Sequence, residues 1–190
     1  LGRTYTLDAA EIPGGRGDGV PVSSLIELQN GAKPVAMLTG QLEQHYLLSG
    51  SGGYGFIAKL GDMVGRVKAG KVVMTVDSGE TVLPPIAVYA SSLINPDCKI
   101  VLASSDHRLL AFSIGELKVM SKGRGLQLMS LADGASLEHI MVTTSPEFTV
   151  VSVGRRGAEH QEKLRIADID GKRGKKGKVL EISGHLKSLS

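Results

Sequence analysis

The stretch GKRGKKGKVLEIS, residues Gly171 to Ser183, sets four basic residues between glycines (Lys172, Arg173, Lys175 and Lys176) and follows them at once with an apolar alternation. Taken alone, it fits a solvated basic tail as well as a working part of a folded domain. Three earlier stretches decide between the two. RGDGVPVSS (16–24), RVKAGKVVM (66–74) and SKGRGLQLM (121–129) repeat the order of basic linker, glycine and apolar-rich run. Upstream of each linker stands an acid followed by an apolar residue: Glu11 and Ile12, Asp62 and Met63, Glu116 and Leu117, Asp168 and Ile169. The acids are 51, 54 and 52 residues apart, and Gly19, Gly70, Gly125 and Gly177 follow them after eight or nine positions. Two independent marks keep one period, which is the signature of a repeat architecture.

Each period has the texture of strands. HYLLSGSGGYGFIAKL, IVLASSDHRLLAFSI and FTVVSVGRRGAEHQEKLRI each read as two short apolar strands around a Gly, Ser or Asp-rich turn. Beyond each linker glycine, two more candidate strands are split by Asn30-Gly31, Ser78-Gly79 or Asp133-Gly134, dipeptides that supply positive φ in turns. Four strands in about fifty residues is the content of a propeller blade. The expected fold is therefore all-β and propeller-like, with three and a half to four blades in an open or broken ring. The blades are drawn at 1–43 (partial), 44–94, 95–146 and 147–190. A sandwich or irregular barrel is the alternative for a Gly-rich β chain, and the kept period disfavours it.

Composition agrees. The 190 residues include 25 Gly and 7 Pro but no Trp, 3 Phe and 4 Tyr, which suits tight turns better than a helical bundle. No run approaches the length of a membrane span, and the start lacks a signal-peptide pattern, so a soluble domain without membrane contact is expected. Leu1 opens directly on a strand-like segment with no initiating Met, as expected of a piece of a longer protein. The lone Cys98 fits a reducing cytoplasm and an inert buried thiol.

The net charge of +3 is modest, so its placement matters more than its size. The linkers 13–18, 64–69, 118–124 and 170–176 carry Arg16; Arg66 and Lys68; Lys118, Lys122 and Arg124; then Lys172, Arg173, Lys175 and Lys176. That is ten of 22 basic residues against two acids, Asp18 and Asp170. Any one of them fits a solvated loop cation. As a periodic set, they predict a basic stripe on an outer rim that holds duplex DNA by its backbone, since Gly-rich basic loops offer both N–H groups and cations to phosphate. Few aromatics adjoin the linkers, which disfavours base stacking on single strands.

Other motifs are weaker. GSGGYG (50–55) satisfies a dinucleotide fingerprint literally, with Asp77 downstream, but a strand rather than a helix follows it. Arg16, Gly17 and Asp18 form a coincidental RGD. His45, His107, His139, His160 and His185 show no metal-ligand spacing. The repeated acids, which keep the period of the fold, suit a structural role in turns, and no nucleophile and base are assembled.

GRTYTL (2–7), LLSGSGGYGFIAKLGDMVGRVKAGKVVMTV (47–76), VLPPIAV (82–88) and MSKGRG (120–125) strongly resemble the C-terminal domain of the A subunit of bacterial topoisomerase IV, a relative of the corresponding gyrase domain. The resemblance runs over almost the whole chain, densest from Leu47 to Pro85 and weakest after Thr144. It implies a β-pinwheel that binds and bends duplex DNA along its basic rim, guiding strand passage in decatenation and supercoil relaxation. By the same resemblance, Lys71, Arg155, Arg156 and Lys178 join the rim candidates. It further implies a cytoplasmic, nucleoid-associated, non-catalytic module joined to an N-terminal cleavage core. That core, with an ATPase subunit using ATP and Mg2+, does the chemistry elsewhere. None of Tyr5, Tyr46, Tyr54 or Tyr89 is then the cleaving tyrosine, and this domain carries no cofactor. The glutamine-arginine-glycine-lysine box of gyrase-type wrapping domains is absent, which favours topoisomerase IV. A gyrase-type wrapping domain and a protein-interaction propeller stand as the alternatives.

Overall fold

The computed structural model describes residues 2–182 and 184–190; the opening Leu1 and the Ser183 that ends the fourth copy lie outside the described residues. Its strands are β1 (Arg3–Thr4), β2 (His45–Ser49), β3 (Tyr54–Lys59), β4 (Lys71–Val72), β5 (Ile86–Val88), β6 (Lys99–Ser104) and β7 (Arg108–Ser113). They continue with β8 (Leu126–Gln127), β9 (Leu137–Thr143), β10 (Glu147–Val153), β11 (Glu159–Arg165), β12 (Lys178–Val179) and β13 (His185–Leu189). The chain is nearly all β, in four open antiparallel sheets ordered β1-β4, β5-β2-β3-β8, β12-β7-β6-β9 and β11-β10-β13. The hairpins β2-β3, β6-β7 and β10-β11 are the three expected from sequence.

Why those hairpins read as continuous apolar runs is clear from their packing. In β2 and β3, Tyr46, Leu48, Phe56 and Ala58 pack with Val73 and Met74 on one face. Leu47 and Ile57 point the other way and meet Ile100, Leu102, Leu110 and Phe112 of the next hairpin. That hairpin repeats the arrangement, sending Val101, Ala103, Leu109 and Ala111 against Phe148 and Val150. A strand covered on both faces buries every side chain, so period-two alternation disappears from its sequence.

The repeated acid lies in a single helical turn directly after each hairpin: Asp62 in the α-helical turn Leu60–Met63, Glu116 in the 3₁₀ turn Ile114–Glu116, and Asp168 in the α-helical turn Ile166–Ile169. Its apolar neighbour is an anchor, with Met63, Leu117 and Ile169 all buried. Glu11 has the same turn at Ala9–Glu11, but Ile12 is 45% exposed.

The strands after the linker glycines do not stay with their own period. β4, β8 and β12 pair with β1, β3 and β7 respectively, each a strand of the preceding period. The sheets therefore exchange strands, and they do not coincide with the contiguous stretches 44–94 and 95–146. Backbone hydrogen bonding supplies the reason, since a linker crossing an apolar blade must find partners for its own peptide groups. Met120 N–H donates to Ile57 O at 2.8 Å, Gly123 N–H to Val73 O at 2.9 Å, Gly171 N–H to Ala111 O at 2.8 Å and Gly174 N–H to Leu128 O at 2.8 Å. The candidate strand expected directly after Gly19, in VPVSSLIEL (20–28), does not form. It contains a 3₁₀ turn at Val22–Ser24, because its copies are strands only against a preceding hairpin, and no described residue supplies one here.

Three of the four linker glycines are required twice over. Gly70, Gly125 and Gly177 have φ of +75°, +85° and +74°. A Cβ on Gly125 would lie 2.2 Å from Gly55 O, and one on Gly177 2.4 Å from Leu109 O. Gly134 shares the positive φ but has open space around it. Gly134→Ala should therefore lower stability by about 1 kcal/mol, the conformational cost alone. Gly125→Ala should lose at least about 2 kcal/mol more, because the blade contact must open as well. Chemical denaturation of the two variants measures the difference.

Candidate nucleic-acid interface

The linkers form a series. Linker 118–124 lies against the run after Gly70, with Gly123 bridging Val73 and Thr75, each at 2.9 Å. Linker 170–176 lies against the run after Gly125 in the same way, Gly174 N–H donating to Leu128 O at 2.8 Å and Ser130 N–H to Lys175 O at 3.1 Å. The Thr75–Gly123 and Ser130–Lys175 bonds repeat in register, from five residues beyond one glycine to two before the next, while the donors to Val73 and Leu128, Gly123 and Gly174, differ by one position.

This scaffold divides the fourteen sequence-derived cations. Arg16, Arg66, Lys68, Lys118, Lys122, Lys172, Lys175 and Lys176 lie on the linkers, and Arg155 and Arg156 lie at the exposed β10-β11 turn. None of these ten has a side-chain hydrogen bond or ion pair among the described residues. The other four are engaged. Lys71 Nζ donates to Asp62 O at 2.6 Å, and Lys178 Nζ to Asp168 O, so both cap the carbonyl end of their own helical turn. Arg173 donates from Nη1 to Gln127 O at 2.7 Å, while its backbone N–H donates to Glu116 Oε2 at 3.1 Å. Arg124 pairs with Asp77 at 2.8 Å and Glu80 at 3.1 Å, and lies 4.0 Å over the Tyr54 ring.

Residues that the sequence reading passed over hold the linkers down. Arg3 Nη1 donates to Ala69 O and Gly70 O, both at 3.1 Å, and Arg108 Nη1 donates to Gly177 O at 3.3 Å. Both arginines stand eight residues before the repeat acid, a phase visible in the sequence once the period is known. Arg108 is itself oriented by Asp106, Nε to Oδ2 at 3.2 Å. The Ser104 hydroxyl, helped by Arg108, holds the Asp106 carboxyl below its ordinary range.

The glycines of GSGGYG are taken up by packing. They form the β2-β3 turn, where the Glu80 carboxylate fills the space over Gly52 and Gly55 sits against Leu48 O, 2.5 Å from where a Cβ would stand. The first helical turn after them begins only at Leu60. Cys98 lies fully buried in the core between the β2-β3 and β6-β7 hairpins, and burial pushes its thiol pKa up. No group of three or more His, Cys, Asp or Glu able to hold a metal ion occurs among the described residues. No helix among them is long and apolar enough to cross a membrane.

The A subunit of DNA topoisomerase 4 from Neisseria gonorrhoeae is 74% identical over 189 residues, spanning 100% of this chain and 25% of that protein. Its namesake from Escherichia coli K12 is 28% identical over 188 residues, spanning 94% of this chain and 24% of that protein. The chain thus spans about a quarter of the length of the curated relatives it matches. Among solved structures, the C-terminal domain of E. coli ParC superposes with a TM-score of 0.87 at 25% identity, covering 100% of this chain and 77% of that one. The C-terminal domain of DNA gyrase A shares the fold, with a TM-score of 0.69 at 19% identity, covering 100% of this chain and 62% of that one. No family model matches the chain.

The Asp106 carboxylate has a lowered pKa in the folded state, so its contribution is fully present above the ordinary value of 3.8 and is lost as pH falls through the folded value. Asp106→Asn should be slightly less stable than the parent at neutral pH, with the gap closing below that value. Denaturant melts across acidic pH test this.

Proposed function

Because the chain belongs to the family of C-terminal domains from topoisomerase IV A subunits, we propose that it is a non-catalytic module that binds and bends duplex DNA along its linkers and guides strand passage in decatenation and supercoil relaxation. The observation that carries this reading is that linkers 118–124 and 170–176 are each pinned to the run after the preceding linker glycine, through Thr75 with Gly123 and Ser130 with Lys175 in one register, and that each offers lysines without a side-chain partner among the described residues. Duplex DNA carries one charge per roughly 1.7 Å of axis, so cations repeated once per blade meet phosphates repeatedly along one path. Lysine is suited to this as a flexible point charge that tolerates any base sequence. Bending a site of this size costs on the order of a few kcal/mol, which only contacts from several linkers at once can offset.

In this reading, Arg16, Arg66, Lys68, Lys118, Lys122, Arg155, Arg156, Lys172, Lys175 and Lys176 face the DNA. Lys71, Arg173 and Lys178 hold the linkers in shape. The cleaving tyrosine belongs to the cleavage core of the same polypeptide, and the ATP and Mg2+ chemistry is completed by a separate ATPase subunit. The working location is the cytoplasmic nucleoid.

The test is duplex binding as a function of salt. Replacing Arg66, Lys68, Lys118 and Lys122 together with Ala should lower affinity and flatten log K against log salt by about 0.9 for each phosphate no longer neutralised. Unchanged affinity in that variant, with an unchanged thermal melt, sinks the reading.

A further inference from the structure

Arg124 is the cation in the third linker that does not behave like its neighbours. Its side chain is 35% exposed and its guanidinium is held from three sides: Nη1 is 2.8 Å from Asp77, Nη2 is 3.1 Å from Glu80, and Cζ is 4.0 Å from the centre of the Tyr54 ring. The two carboxylates are themselves fixed. Asp77 N–H donates to Glu80 Oε2 at 3.0 Å and Glu80 N–H to Asp77 O at 3.1 Å, closing the Ser78-Gly79 turn. Glu80 also fills the space over Gly52, so three segments of chain converge on one guanidinium. The next residue, Gly125, is the one pressed onto Gly55 O.

Tyr54 occupies the repeat phase of Arg3 and Arg108, eight residues before the acid. In the other two interfaces, an arginine on the neighbouring strand, β1 or β7, reaches the carbonyl of the linker glycine. In this one the hairpin offers an aromatic face, and the guanidinium comes from the linker instead. A guanidinium thus fastens the linker's end at each of these three blade contacts, from one side or the other.

We infer that Arg124 is a positioning residue for DNA binding: its clamp between Asp77 and Glu80 over Tyr54 fixes the third linker on the neighbouring blade and so sets the reach of Lys118 and Lys122. This rests on the DNA-binding reading above. It also reverses the simple electrostatic expectation for the acids. Removing two negative charges beside a DNA-binding surface should strengthen binding if charge alone matters. If the clamp positions the linker, their removal weakens it.

The experiment compares Arg124→Lys and the isosteric pair Asp77→Asn with Glu80→Gln against the parent chain, by salt-dependent binding to a linear duplex with thermal melts alongside. Lysine keeps the charge but loses the planar fork and its stacking. Both variants should bind about two- to fivefold more weakly, the fold-change equivalent of one partly exposed ion-pair cluster, with the salt slope unchanged. Tighter binding with a steeper slope in the Asp77→Asn, Glu80→Gln variant means that Arg124 reaches a phosphate once freed, and overturns the inference. Parent-like binding in Arg124→Lys overturns it as well. Lys118→Ala with Lys122→Ala in the same assay is the control: if that pair also binds like the parent, the DNA-binding reading fails, whereas if it weakens while the clamp variants do not, only the clamp fails.

Discussion

A glycine backbone laid directly on the carbonyl of a neighbouring hairpin strand is the contact on which the rest of this fold depends. At Gly125 the approach to Gly55 is closer than any side chain permits, and Gly177 meets Leu109 in the same way. With φ near +80°, each of these glycines turns the linker from its path along the blade edge into a strand that joins the preceding sheet. Successive blades are thereby stapled together by main-chain hydrogen bonds as well as by apolar burial. Such coupling between neighbours gives a repeat protein its cooperativity.

The same rule accounts for the two ends of the array. The run after Gly19 keeps the glycine conformation, with φ of +75°, yet nothing lies within 4 Å of where its Cβ would stand, and no strand follows until His45. At the other end, β11 pairs with β10 through all seven residues, but only Leu164 among them is shielded from solvent. Its charges are partly spent on ion pairs, Lys163 with Glu147 at 2.5 Å and Glu159 with Lys187, which suit a solvated edge. The polar texture of AEHQEKLRI thus reflects its place in the array rather than a failed strand.

Basic residues around the linkers fall into two physical kinds. Arg124 and Arg173, with Arg3 on β1 and Arg108 on β7, use planar multi-donor heads to grip carbonyls, carboxylates or a ring. The lysines Lys68, Lys118, Lys122, Lys172, Lys175 and Lys176 stand free of partners among the described residues. In the DNA-binding function proposed above, an arginine-pinned frame presenting these lysines would lower the ordering cost of meeting a polyanion and leave sequence selectivity weak.

The period, the three hairpins, the turn glycines and the all-β class were legible in the sequence, because each depends on local chemistry: positive φ at Gly31, Gly79 and Gly134, and apolar runs bounded by turns. The concentration of bases in the linkers was legible too. Which strand pairs with which hairpin was not. β8 is nearer in sequence to β7 than to β3, and only the geometry of the glycine contact sends it back to β3. Nor could a count of charges separate Lys122 from Arg124, two residues apart, since the difference lies in Asp77, Glu80 and Tyr54, brought from 44 to 70 positions away. Local propensity and periodicity are properties of the chain. The partner of a strand or of a guanidinium is decided by which blade the folded linker lies against, and that is set by tertiary packing and main-chain hydrogen bonding together.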